Sequence, residues 1–375
     1  MKDPRIERMA CTLIDYSTDI QPGDRILLEA EPVAEPLLRE LFSRTLERGG
    51  HPHLMISMAG QVSGSGFDDL FLKKANSEQL DYVHPFYKLA YEEFESRIRI
   101  HSLSNTKTLT QIDPAKMSRR AKAGQGILES QFKRGDKGEF KWVTTQFPTL
   151  AFAQDAEMSL EEYEAFLFKA CHVDDLDSDP VEFWLGVREE QQRLVDAFTG
   201  HDKVRVRSPH CDLILSIKGR TFINACGRRN MPDGEIFTGP VEESVNGWIH
   251  FTFPAVSRGT EVDGVKLKFQ EGKVVEAIAE KNQAFLEKML HVDANAGYLG
   301  EFAFGTNYGI QNHTKNILFD EKIGGTFHIA FGAGYPQTGS KNKSAIHWDM
   351  ICDLRGESEV FLDGELIYKD GHFQI

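Results

Sequence analysis

Apolar and polar positions alternate in two styles along the first 200 residues. Met9 to Tyr16 has helical spacing and forms part of an amphipathic helix. Asp24 to Ala30 is a short apolar run after Gly23 and predicts a strand. Pro36 to Glu47 predicts a helix, with proline suited to the first turn and Gly49-Gly50 ending it. Strand-like runs follow at His53–Ser57, Ile98–Leu103 and Trp142–Phe147, the last closed by Pro148. Helical spacing covers Pro114–Phe132, which carries much positive charge, then Leu160–Ala170 and Val181–Phe198. Strands alternating with helices predict an α/β layer with a mostly parallel sheet.

Beyond Gly200 the period shortens. Lys203–Ser208 alternates like a half-buried strand. Cys211–Ala225 reads as a hairpin turning at Lys218-Gly219-Arg220, and Val265–Glu280 as another turning at Glu271-Gly272-Lys273. One helix, Asn282–Leu290, interrupts, and short strands run to the end, including Glu359–Leu366 around Asp363-Gly364. The pattern predicts an α/β domain over residues 1–204 and a β-rich (α+β) domain over residues 205–375.

Composition narrows the possible partners. A net charge of −14 is unsuited to neutralising nucleic-acid phosphates or docking on anionic lipid. The five cysteines form no CxxC pair, so neither a disulfide framework nor a zinc finger is expected. Residues 1–17 lack the apolar core of a signal peptide, and no stretch is apolar for long enough to span a membrane. A cytoplasmic protein with reduced thiols is the expectation. The glycine-rich run Gly60–Gly66 has neither a Walker A ending nor GxGxxG spacing, and reads as a loop.

The candidate chemistry lies in the β-rich half. In Ser344–Met350, a period of two puts His347 and Asp349 on one face, with Ile346, Trp348 and Met350 on the other. An imidazole beside a carboxylate suits a metal ion. The arrangement recurs: Glu301 faces away from Phe302 and Phe304, His328 from Phe327 and Ile329, and Glu235 from Ile236. A single Glu or His in such a strand most often pairs with Arg, Lys or a backbone amide. A buried carboxylate needs some such partner. Recurrence in several segments favours a shared metal cluster.

The runs GEIFTGPVEESVNG (234–247), LGEFAFGTNYGI (299–310), LFDEKIGGTFHIAFGAGY (318–335) and HWDM (347–350) together resemble the thermophilic, aminopeptidase T family of metallo-aminopeptidases. The resemblance implies a homodimeric exopeptidase, acting on peptides with a free N-terminus, whose β-rich domain binds two divalent ions; zinc, cobalt and manganese all suit nitrogen and oxygen donors. Carried onto matching positions, it implies Glu235, Glu301, His328, His347 and Asp349 as metal ligands, with Glu301 bridging. Tyr335 matches the family's active-site tyrosine, and Glu321 is a further acidic candidate. In the implied mechanism, metal-activated water attacks the first peptide carbonyl, Tyr335 steadies the oxyanion, and Glu301 or Glu321 shuttles the proton.

One alternative shares part of this set. His328, His347 and Asp349 alone match the two-histidine, one-carboxylate site of a mononuclear Fe(II) ring-cleaving dioxygenase of the related pyridinediol type. Glu235 and Glu301 favour the peptidase. A structural metal site would draw on cysteine, and a serine hydrolase on GxSxG; neither pattern is present.

Overall fold

The computed structural model describes residues 3–60, 66–257 and 259–375; most of the glycine-rich run, residues 61–65, lies outside the described residues. The chain forms two compact units, one of Met1–Trp184 with Gly227–Pro232, the other of Leu185–Cys226 with Asp233–Ile375.

The first unit is built on a parallel sheet in the order His51–Ile56, Arg25–Ala30, Ser96–His101, Lys141–Gln146, Asn230–Met231. Ile26, Leu27, Leu28 and Ala30 are all buried. A run apolar on both faces belongs in the interior of a parallel sheet, where helices cover each side. The first helix is α-helical over Pro4–Cys11, with the Asp3 carboxylate accepting from Arg5 N, and continues as a π-helix over Thr12–Ser17. The expected long helix from Pro114 is two helices, Pro114–Ala123 and Gln125–Asp136. They separate at Gly124, a residue with poor helix propensity.

The second unit packs two antiparallel sheets. An eight-stranded sheet runs Lys273–Ile278, Lys266–Gln270, Asn246–His250, Cys211–Ser216, Lys203–Ser208, Glu359–Leu362, Glu365–Lys369, His372–Phe373. A five-stranded sheet runs His347–Asp353, Thr326–Gly332, Leu299–Gly305, Glu235–Thr238, Ile223–Ala225. Their inner faces share one core that includes Val206, Leu215, Phe269, Phe304, Phe331 and Met350. Phe269 stacks on Phe331 at 6.1 Å, and Phe304 meets Tyr368 at 5.5 Å.

Two features differ from the sequence expectation. Contacts divide the chain at Trp184/Leu185, inside the helix Pro180–Phe198, whereas the pattern placed the boundary after residue 204. Leu194, Val195 and Phe198 of that helix enter the second unit's core, while Asn230–Met231 returns as a strand of the parallel sheet. A scan along the chain sees neither event. Cys211–Ala225 is not a hairpin: Cys211–Ser216 pairs with Lys203–Ser208 and Asn246–His250, whereas Ile223–Ala225 pairs with Glu235–Thr238 in the other sheet. The glycine turn marks a switch between sheets. The hairpins around Glu271-Gly272 and Asp363-Gly364 form as the turn residues predict.

Candidate metal centre

Alternation along three neighbouring strands makes one face of the five-stranded sheet greasy and the other chemical. Phe302, Phe304, Phe327, Ile329, Phe331, Trp348 and Met350 point into the shared core and are buried. Glu301, His328, His347 and Asp349 occupy the opposite face, joined by Glu235 from the next strand.

Register brings these side chains together. Ala303 pairs with His328, Gly305 with Glu235, Ala330 with both Glu301 and Asp349, and Gly332 with His347. Each polar residue therefore lies beside alanine or glycine, which leaves room above the sheet. At Gly305 the room is used by backbone: a Cβ there would lie 2.3 Å from Ile323 O and 2.9 Å from Lys322 C. The turn that carries Glu321 and Lys322 thus sits directly on the sheet. Asn307 N donates to Lys322 O at 3.1 Å, and Gly324 N donates to Asn307 O at 3.0 Å, pinning that turn.

The contacts are short. His328 Nε2 lies 3.1 Å from Glu301 Oε1 and 3.4 Å from Glu235 Oε2. His347 Nε2 lies 3.4 Å from Asp349 Oδ1 and 3.8 Å from Glu301 Oε2. His347 Nδ1 donates to Ala333 O at 2.7 Å, which turns Nε2 toward the carboxylates. A metal-binding histidine is oriented in this way, its other nitrogen held by a carbonyl. Tyr335 sits at the rim, 42% exposed, with its ring edge-on to His347 at 5.3 Å and tilted against Phe237 at 5.4 Å.

All seven residues singled out from the sequence lie in or beside this cluster. Lys322 was not among them, and it is fully buried there. Its Nζ lies 3.6 Å from Glu235 Oε1 and bonds the Glu321 carboxylate. Strand alternation could not find it, because it lies in a turn. The available signal was a lysine set between Glu321 and the apolar, glycine-rich Ile323–Gly325.

Electrostatics shows a cluster rich in negative charge. Burial pushes Glu235 well above the usual carboxylate range, opposed by Lys322 and reinforced by Glu321. Burial likewise raises Glu301 against the pull of His328. Asp349 is also buried, yet the neighbouring His347 holds it below its ordinary value. Burial would make the imidazoles less basic, but the carboxylates outweigh it: His328 is pushed up to about 9 by Glu301 and Glu235, and His347 up to about 10 by Asp349. Tyr335, like any tyrosine at neutral pH, keeps its phenol proton and can donate it in a hydrogen bond.

The residues fit a divalent ion. Glu301, His328 and Asp349 offer donor atoms all within 4.8 Å of one another, and so do Glu235, Glu321 and His328. Glu235 Oε2 and Asp349 Oδ1 are buried and form no well-aligned hydrogen bond among the described residues, each facing an imidazole nitrogen at 3.4 Å. Buried carboxylate oxygens left unsatisfied are costly, and a cation between them removes that cost. Oxygen and nitrogen donors without cysteine suit zinc, cobalt or manganese.

Comparison with known proteins agrees with this chemistry. The chain is 25% identical to aminopeptidase T of Thermus thermophilus and 24% identical to aminopeptidase 2 of Geobacillus stearothermophilus, with 98% of this chain and 95% of each relative covered. The solved structure of wild-type AmpT from Thermus thermophilus has the same fold, with a TM-score of 0.83 over 99% of both chains at 22% identity. These matches lend no support to the ring-cleaving oxygenase alternative. The profile of the thermophilic metalloprotease (M29) family matches residues 2–373, and the chain belongs to that family.

Proposed function

We propose that this chain is a metal-dependent aminopeptidase that removes N-terminal residues from peptides, with two divalent ions held on the polar face of the five-stranded sheet. The observation that carries the proposal is the meeting of Glu235, Glu301, His328, His347 and Asp349, whose buried carboxylate oxygens face the imidazole nitrogens at 3.1–3.4 Å. The aminopeptidase names of full-length relatives support it.

When bound, divalent ions supply a water acidic enough to be hydroxide near neutral pH and a Lewis acid for the scissile carbonyl. The chain's own residues do the rest. Glu301 lies between His328 and His347 and, with them, would help hold the ions. Tyr335, protonated at the rim, donates a hydrogen bond to the oxyanion that develops on the scissile carbonyl oxygen. Glu301 or Glu321 would take the proton of the attacking water and deliver it to the leaving nitrogen. A carboxylate of the cluster also suits the substrate's α-ammonium group, which would explain preference for a free N-terminus. The family resemblance adds a homodimer, and cysteines that form no CxxC pair support a cytoplasmic setting.

The test is hydrolysis of a panel of aminoacyl reporters by the purified protein, before and after chelation, and after return of zinc, cobalt or manganese. Activity lost on chelation and restored by one of these metals is the expected result. Undiminished activity in the chelated protein would rule the proposal out.

A further inference from the structure

Lys322 is a buried cation within the centre that the proposed mechanism does not use. Its side chain is completely shielded from solvent, and its ammonium contacts Glu235 Oε1 and the Glu321 carboxylate. Those carboxylates, with His328, make up one of the two donor sets of the centre. The other set, Glu301, His328 and Asp349, is joined by His347. Among the described residues, no lysine or arginine nitrogen lies within ion-pair distance of Glu301 or Asp349. The two halves of the centre therefore differ: one already has a covalently tethered positive charge.

We propose that Lys322 makes the two metal positions unequal: the Glu301–His328–His347–Asp349 position holds its ion tightly, and the Glu235–Glu321 position takes its ion only by displacing the Lys322 ammonium. The proposal rests on the two-ion metallo-aminopeptidase reading. An ion bound to Glu235 and Glu321 would use oxygens that the ammonium already contacts, and two cations a few ångströms apart repel strongly where water is excluded. The lysine cannot withdraw with its backbone. Lys322 N donates to Phe319 O at 3.0 Å, its carbonyl accepts from Asn307 N at 3.1 Å, and Gly305 lies directly beneath it. Displacement must come from rotation of a long side chain in packed surroundings, which adds to the cost.

The experiment counts metal rather than turnover. The full chain is loaded with zinc, dialysed against metal-free buffer, and its zinc measured per chain by mass spectrometry, with circular dichroism to verify folding. Wild type is expected to retain about one ion and Lys322→Met about two, while Lys322→Arg, which keeps the charge, retains about one. Two ions kept by wild type, or one by a folded Lys322→Met, would overturn the proposal. Zinc absent from every folded variant would instead remove the metal reading beneath it. If Lys322→Met does not fold, zinc titration of wild type decides. A second ion about a hundredfold weaker than the first is expected, and two equal sites would contradict it.

Discussion

At the scale of single residues, each polar side chain of the cluster has a geometric reason for its place. His347 is aimed by Ala333 O, Glu301 sits between two imidazoles, and Tyr335 leans on His347. Glu301→Gln keeps the shape but removes the charge, and should reduce aminoacyl-reporter hydrolysis by more than about a hundredfold, as loss of a metal-site anchor does, with an unchanged circular dichroism spectrum. His347→Ala should do the same. Tyr335→Phe removes one oxyanion donor, so kcat should fall by about 10²–10³ with KM little altered. A Tyr335→Phe enzyme with wild-type kcat would mean that the phenol takes no part. The ligand face was legible in the sequence because a strand shows its two faces by simple alternation. Lys322 was not, because in a turn no periodicity tells where a side chain points.

At the scale of elements, small residues on one face and aromatic residues on the other let these strands carry a polar site above a dry core. Phe304, fully buried against Phe198, Phe302 and Tyr368, anchors the dry side. Phe304→Ala should cost about 3–5 kcal/mol in urea unfolding. Gly305 serves the other side by letting the Glu321–Lys322 turn rest on the sheet. Gly305→Val would drive a side chain into Ile323 O, displacing Glu321. Reporter hydrolysis should fall at least about tenfold, since a shift of about 1 Å in a positioned group costs more than that. Most strands and helices were readable from period and turn residues. The Cys211–Ala225 segment was misread because a glycine turn between two alternating runs signals a hairpin locally. Only tertiary pairing shows that its arms join different sheets.

At the scale of the whole molecule, a metal that binds only the folded chain stabilises it by mass action. Chelation should therefore lower the thermal midpoint, and added zinc should raise it with concentration. The first unit has its own pH signature. Burial, helped by Arg99 and Arg97, pushes His101 down to about 4. An unfolded histidine titrates near 6.5, so between those values the unfolded chain binds a proton that the folded chain refuses. That contribution to stability is present at neutral pH and is lost as pH falls from about 6.5 toward 4. Compared with wild type, the urea midpoint of His101→Gln should fall less, or rise more, between pH 7 and pH 5. The change of period near residue 200 led to an expected boundary after residue 204. The compact units instead meet along the chain inside the helix Pro180–Phe198, and Asn230–Met231 returns to the first unit, neither of which periodicity can show.

The most direct measurement is an anomalous-scattering map from crystals of the manganese- or zinc-loaded protein. The strongest peak is predicted among Glu301, His328, His347 and Asp349, within coordination distance of their oxygen and nitrogen atoms. A loaded crystal with no peak there, or with its only peak elsewhere on the chain, would contradict the assignment of this face as the metal centre.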